Sequence, residues 1–311
     1  MNTSLQPAGL PIAAVERDTG LAKDTLRVWE RRYGFPQPER DANGERVYPL
    51  AQVDKLRLLR RLIDQGLRPA KIIPLELQAL TALLDEIGRP RDGGDPERSA
   101  QFTAILKFVR LHLHEDLRRS LQQLLMKLGL QRFVCEVVAP LNQLVGDAWL
   151  RGELEVPEEH LYTEQIQNIL RAAIGAHPAP HSGRPVVMLT TFPEEQHALG
   201  LLMVEAAITP EGACCISLGT QTPLEDIRSA ASGGRFDIVA LSFSSAYPTR
   251  QAIEGLRSLR ASLPEQVSLW AGGSAVHGAA RKLPGITVFE SIASLPAALD
   301  AWRAAAGVTQ P

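Results

Sequence analysis

The sequence predicts a multidomain α + α/β chain: a short helical unit closed by a hairpin, a helical bundle, and a doubly wound parallel sheet. Three observations carry this expectation. Before residue 78, helical spacing is interrupted by a Gly-marked turn and an Asn-Gly pair. Residues 100–176 keep helical spacing almost throughout, and from residue 184 short apolar runs alternate with segments of helical length. At 311 residues the chain exceeds what one small core organises.

In the first unit, PIAAVERDTG reads as a helix stopped at Gly20, and KDTLRVWERRYG as a second with Leu26, Trp29 and Tyr33 on one face. Thr19-Gly20-Leu21 between them makes the tight connection of a helix-turn-helix. In DANGERVYP, Asn43-Gly44 signals a two-residue hairpin. QVDKLRLLRRLIDQG then returns to helical spacing, with Val53, Leu56, Leu59 and Leu62–Ile63 inward. Helix, turn, helix, hairpin and helix in this order describe a winged helix-turn-helix. Residues 1–78 hold 13 Lys+Arg and 10 Asp+Glu, a net of +3 within a chain of net −2, so an anionic partner is expected for this part alone.

TLRVWERRYGFPQPER…GERVYPLAQVDKLRLLRRL resembles the DNA-binding domain of MerR-type transcription regulators over most of residues 10–75. The resemblance implies that Lys23, Thr25, Arg27 and Arg31 meet a major groove from the second helix. It also implies that Arg46 and Tyr48 touch backbone phosphates from the wing, with double-stranded operator DNA as partner. Trp29 is assigned to the small core.

EIGRPRDGGDPERS, residues 86–99, concentrates Gly, Pro and charge and reads as a linker, so residues 79–99 are taken as helix end and linker. No sustained heptads follow residue 75, and self-association, as dimer or tetramer, is expected from the C-terminal half. Residues 100–180 divide into QFTAILKFVRLHLHEDL, RRSLQQLLMKLG, LQRFVCEVVAPLNQLVGDAWLRGEL and PEEHLYTEQIQNILRAAIGA, which predict a four-helix bundle with Pro140 starting or kinking one helix.

Residues 181–311 hold five strand-like runs, RPVVMLTTF, ACCISLG, FDIVALSFS, VSLWAGG and ITVFES. Their nearly continuous apolar character indicates a five-stranded doubly wound parallel sheet buried on both faces. Ligands of such sheets lie beyond the C-terminal strand ends. His197 follows the first run, Ser242 ends the third and Gly272-Gly273 closes the fourth. Alone, His197 reads first as an ordinary helix-start residue, with a metal ligand and a general base as the alternatives.

The three blocks together resemble the cobalamin-binding motif, D-x-H-x-x-G, S-x-L and G-G, of methionine-synthase-like Rossmann-like domains. Between them lie 41 residues (Gly200 to Ser242) and 27 residues (Ser244 to Gly272), close to the family's intervals. Two positions depart: Glu195 stands where aspartate is commoner and Ser244 where leucine is expected. The resemblance implies that His197 is the lower cobalt ligand, oriented by Glu195. It implies further that Gly200, Gly272 and Gly273 leave space for the cofactor's tail and that Ser242 hydrogen-bonds it. Trp149, nine intervening residues, and Glu159-His160 form W-x9-E-H. That pattern resembles the helical cap of the CarH/LitR group, cobalamin-dependent photoreceptor repressors of the MerR type. There the Trp and the Glu-His pair cover the upper face of cobalamin, in its adenosyl form. In that group's best-studied pattern a histidine follows the tryptophan; here it is Leu150. The resemblance thus implies a light-responsive, adenosylcobalamin-dependent regulator, a repressor rather than an enzyme. A cobalamin sensor without light response and a corrinoid methyl-transfer protein are the alternatives.

No apolar run approaches a membrane span and MNTSLQPAGL lacks the features of a secretory signal. Cys135, Cys214 and Cys215 form neither a zinc spacing nor a disulfide framework, and the adjacent pair is expected in buried strand packing. A reducing cytoplasm is the expected location.

Overall fold

The computed structural model describes residues 9–41, 44–64, 67–88, 96–150, 152–177 and 184–308. Two compact units are present: residues 1–99 with 147–153, and residues 100–146 with 154–311.

In the first unit α1 (Ile12–Thr19) and α2 (Lys23–Tyr33) each end on a left-handed glycine, Gly20 at φ 65° and Gly34 at φ 68°. Glycine carries no Cβ penalty there, and its N–H closes the last turn. The turn is held from within: Thr19 Oγ1 donates to the Val15 carbonyl at 2.7 Å, and the Lys23 N–H donates to Glu16 Oε1 at 3.1 Å. Strands β1 (Gly9–Pro11), β2 (Glu39–Arg40) and β3 (Arg46–Pro49) form an antiparallel sheet in the order β1-β3-β2. In the wing, Asp41 N–H bonds the Glu45 carbonyl at 3.0 Å and Gly44 has φ 79°, in the left-handed region that favours glycine. Asn43 itself lies outside the described residues.

Helices α3 (Leu50–Asp64), α4 (Pro69–Ile72) and α5 (Leu77–Gly88) complete the unit. Its core contains Val15, Leu26, Trp29, Val53, Leu56, Leu59, Leu62 and Leu80, largely the stripes read from spacing. Arg57 grips Asp18 with two hydrogen bonds of 2.9 Å and so ties α3 to α1.

A helical run follows: α6 (Pro96–Arg110), α7 (His114–Leu128), the continuous run α8 (Leu130–Phe133) to α9 (Ala139–Leu150), and α10 (Val156–Gly175), all in the second unit except residues 96–99 and 147–150. The first break falls at Leu111–Leu113, not after Leu117 as the sequence suggested. Leu117 and Leu121 are both buried on α7, so the spacing was right and only the boundary moved. Between α8 and α9 the helix widens into a π turn, Val134–Val138, just before Pro140. Proline has no N–H for a carbonyl four residues back, and its ring crowds that carbonyl, so the widened turn accommodates what a tight one could not. Helix α10 opens with Glu155 and Glu158 capping each other's backbone N–H groups.

The sheet follows, with β4 (Val186–Thr190), β5 (Cys214–Gly219), β6 (Ile238–Ser242), β7 (Ser268–Gly272) and β8 (Thr287–Phe289), all parallel, in the order β5-β4-β6-β7-β8. Alternate residues pack two separate cores. Val187, Leu189, Ile238, Ala240 and Trp270 meet α11 (Leu199–Ile208) and α14 (Leu295–Ala306). Met188, Val239, Leu241 and Leu269 meet α12 (Leu224–Ser232) and α13 (Thr249–Ser262) on the other face. Two expectations are corrected. The β7–β8 connection holds two short 3₁₀ turns in place of an α-helix. Strand β5 is an edge on which Cys214 and Cys215 are half-buried and Ile216 to Gly219 exposed, Ile216 and Leu218 each at 41%. Cys215 of the same strand packs into a core, where burial pushes its thiol pKa up to about 12. Among the described residues no helix is long and apolar enough to cross a membrane.

Candidate cofactor site and DNA-binding surface

Strand β4 lies between β5 and β6, and the connection after β4 runs outward to β5 while that after β6 runs outward to β7, in the opposite direction. This is the topological switch point, where a crevice opens beyond the strand ends. The loop after β4, from Thr191 to Ala198, delivers Glu195 and His197 there before α11 begins. Thr191 Oγ1 fixes the loop by donating to the Glu195 carbonyl at 2.6 Å.

Glu195 is only 1% exposed, yet every side-chain oxygen lone pair it needs is met. Its Oε1 accepts from the His197 N–H at 3.0 Å and lies 2.6 Å from His197 Nδ1. Its Oε2 accepts from the Ser244 N–H at 2.7 Å and from Ser244 Oγ at 2.8 Å. Burial raises the Glu195 pKa, but the hydrogen bonds from His197 and Ser244 outweigh it and leave the carboxyl below its ordinary value. A carboxylate at Nδ1 selects the tautomer with the proton on Nδ1, so Nε2 carries the free lone pair. The imidazole is 62% exposed. Its pKa is raised by the hydrogen bond to Glu195, opposed by partial burial, and raised further by the charges of Glu195 and Glu159.

Glu159 belongs to α10 of the bundle, so the bundle and the sheet edge stand within electrostatic reach inside one unit. Its Oε1 accepts from Thr163 Oγ1 at 2.7 Å and its Oε2 lies 2.8 Å from His160 Nδ1, leaving an exposed His160 ring. Bundle and sheet also touch directly: Gln131 Nε2 donates to the Ala207 carbonyl at 3.1 Å, and Asn142, which accepts from buried Tyr162 at 2.7 Å, donates to Met203 Sδ. Trp149 is half-buried on α9 and falls in the first unit, while Glu159 and His160 fall in the second.

Two of the three glycines meet a close neighbour. A Cβ on Gly200 would land on Ser242 Oγ, and one on Gly273 would land on the Phe243 carbonyl oxygen. These two are glycine because neighbouring strand ends approach them closely, with Gly273 also at φ 103°. At Gly272 a Cβ would make an ordinary contact with Phe289 Cβ at 3.6 Å. Ser244 stands where leucine was expected, and its hydroxyl secures Glu195, so the two departures from the motif meet each other. No sequence signal short of that pairing could have shown it.

On the first unit, Arg27 and Arg31 are exposed along α2, with Arg27 Nη1 3.2 Å from Asp24. Thr25 is half-buried at the helix start, and Lys23 Nζ pairs with Glu16 at 3.2 Å. Arg46 on the wing donates to Glu30 of α2 at 3.1 Å, which fastens wing to helix. Tyr48 corrects an expectation: it is fully buried in the core, because strand alternation turns it inward, and it cannot touch a phosphate. Arg40, directly across the ladder from Arg46 and exposed, is a wing cation that the sequence reading passed over.

Comparisons agree with this layout. Residues 10–78 match the model of the MerR HTH family regulatory protein, and residues 102–174 match that of a B12 binding domain. The chain is 30% identical to the HTH-type transcriptional repressor CarH of Myxococcus xanthus over 276 residues, 87% of this chain and 91% of the relative. It is likewise 30% identical to the repressor CarA of the same organism over 272 residues, 86% and 88%. In fold, a solved monomethylamine corrinoid protein of Methanosarcina barkeri superposes with a TM-score of 0.54 at 14% identity, covering 65% of this chain and 99% of that one. The chain therefore belongs to the family of MerR-type, cobalamin-binding transcription regulators that includes the CarH and CarA repressors.

Proposed function

We propose that this regulator is a light-responsive repressor that uses adenosylcobalamin and binds operator DNA as a cofactor-controlled oligomer assembled through its C-terminal half. In this reading residues 1–78 read DNA, residues 79–99 are helix end and linker, residues 100–180 cap the cofactor and residues 181–311 hold it, in the cytoplasm and without enzymatic turnover.

The observation that carries the reading is the Glu195–His197 pair. An exposed imidazole with Nδ1 held by a buried carboxylate offers one nitrogen, in one orientation, to a metal. Among the described residues no group of three or more His, Cys, Asp or Glu is placed to hold a bare metal ion. A single oriented ligand suits a cobalt that brings its equatorial ligands with it. His197 would hold the lower face, with Glu195 and Ser244 fixing its tautomer. Glu159 and His160 would cover the upper face. When bound, adenosylcobalamin supplies a photolabile cobalt–carbon bond. Association of several weak DNA-binding units on one operator raises affinity by multivalency, so a cofactor that controls assembly also controls DNA occupancy.

Leu150 in place of histidine favours one second reading, a cobalamin-sensing regulator of the same fold without a light response. Absorption spectra of the protein with adenosylcobalamin, before and after green light, test both, together with operator binding by apo, dark and illuminated protein. Photolysis coupled to loss of DNA binding supports the first reading. Cofactor-dependent binding indifferent to light supports the second.

A further inference from the structure

On α2 the residues Asp24, Arg27, Val28 and Arg31 recur at intervals of three and four and so form one stripe. Asp24, Arg27 and Arg31 are exposed, and Val28 is 40% exposed in their midst, the one large exposed apolar residue of this helix. Valine is an inefficient choice at such a place. Its β-branch loses rotamer freedom in a helix, and lysine, arginine or glutamate would serve a solvated face better. Its methyls have no core to join, because Leu26 and Trp29 point the other way into the packed interior.

A duplex meeting this stripe offers phosphates, polar base edges, and in the major groove one apolar group, the 5-methyl of thymine. Arg27 and Arg31 suit the phosphates and the acceptors of guanine. We propose that Val28 packs against a thymine methyl in the major groove, which makes it a determinant of operator sequence. This rests on the reading of α2 as the helix that enters the groove. Asp24 and Arg27, 3.2 Å apart, flank Val28 on one side and Arg31 on the other, so the apolar contact would lie between charged neighbours along the groove.

The test uses the full-length protein and a random-sequence duplex pool. The preferred duplex is recovered, and each thymine is then replaced singly by deoxyuridine, which differs by the methyl alone. At one thymine per half-site the replacement should weaken wild-type binding about fourfold, the worth of one buried methyl. Val28→Ala should bind the thymine and uracil duplexes equally, and Val28→Thr, which keeps a methyl at the same branch, should retain discrimination. Indifference of the wild type to every replacement would overturn the proposal, as would an undiminished preference in Val28→Ala. Recovery of no preferred sequence would overturn the underlying reading of α2 as well, and is told apart because affinity would then be insensitive to all base changes.

Discussion

The face of α2 and the C-terminal edge of the sheet are both assigned to binding, yet they are built oppositely. At the sheet edge the charged group is buried: Glu195 accepts from two backbone N–H groups, a hydroxyl and an imidazole. On α2 the charges stand in solvent, and Arg27 has a loose partner one turn away in Asp24. A metal–nitrogen bond tolerates little angular error, so its ligand is fixed in advance by groups that cannot move. Phosphates and base edges are met by long side chains that adjust on contact, and an exposed ion pair of this kind contributes at most about 1 kcal/mol.

The largest effect should follow from breaking the rigid site at its glycine. Gly273→Ala puts a methyl onto the Phe243 carbonyl and forces alanine to φ 103°, so the variant should be destabilised by about 3 kcal/mol or more, read by urea unfolding. Gly200→Ala should be milder, since the Ser242 hydroxyl can rotate away. Next comes His197→Ala, which should abolish the spectrum of histidine-ligated cobalamin. Glu195→Gln should lower cofactor affinity about 10- to 100-fold, measured by titration, because an amide cannot accept from both Ser244 and His197. Wild-type affinity and spectrum in His197→Ala would remove the contrast between the regions.

On the flexible side, Arg27→Ala should weaken operator binding modestly at all sequences and reduce the slope of log affinity against log salt by about 1. Tyr48→Phe should leave binding unchanged, since Tyr48 is buried. The smallest effect concerns pH in the cofactor-free protein. Glu195 has a lowered pKa, so its stabilisation is complete above the unfolded value, about 4.3, and is lost as pH falls through the folded one. His197 has a raised pKa, so its share is complete below about 6.5 and is lost as pH rises through the folded value. The stability gap between wild type and Glu195→Gln should therefore be widest between these limits. A gap flat from pH 3 to 8 would mean that the pair is electrostatically idle.

The same contrast explains what the sequence reveals. Helices, the five parallel strands and the core stripes Leu26–Trp29 and Val53–Leu62 were legible because burial imposes a period. The position of His197 was legible because the loop after the first strand always reaches the switch point. The role of Ser244 was not legible because its partner, Glu195, is 49 residues away, and spacing carries no record of a bond across strands. Tyr48 was misjudged because on a four-residue strand one step of register separates core from surface. The turn at Leu111–Leu113 was missed for a third reason: it contains neither Gly nor Pro, and His112 takes φ 53° without either signal.

The π turn at Val134–Val138 bears on how this helix can change length over evolution. A five-residue turn accommodates one residue more than an α turn would, so a single deletion there could heal the helix and keep the facing of everything after it. Between Leu141 and Ala148 no such slack exists. An insertion there would swing Trp149 about 100° around the axis. Length variation in this helix should accordingly collect ahead of Pro140, with the stretch leading to Trp149 held to a fixed count.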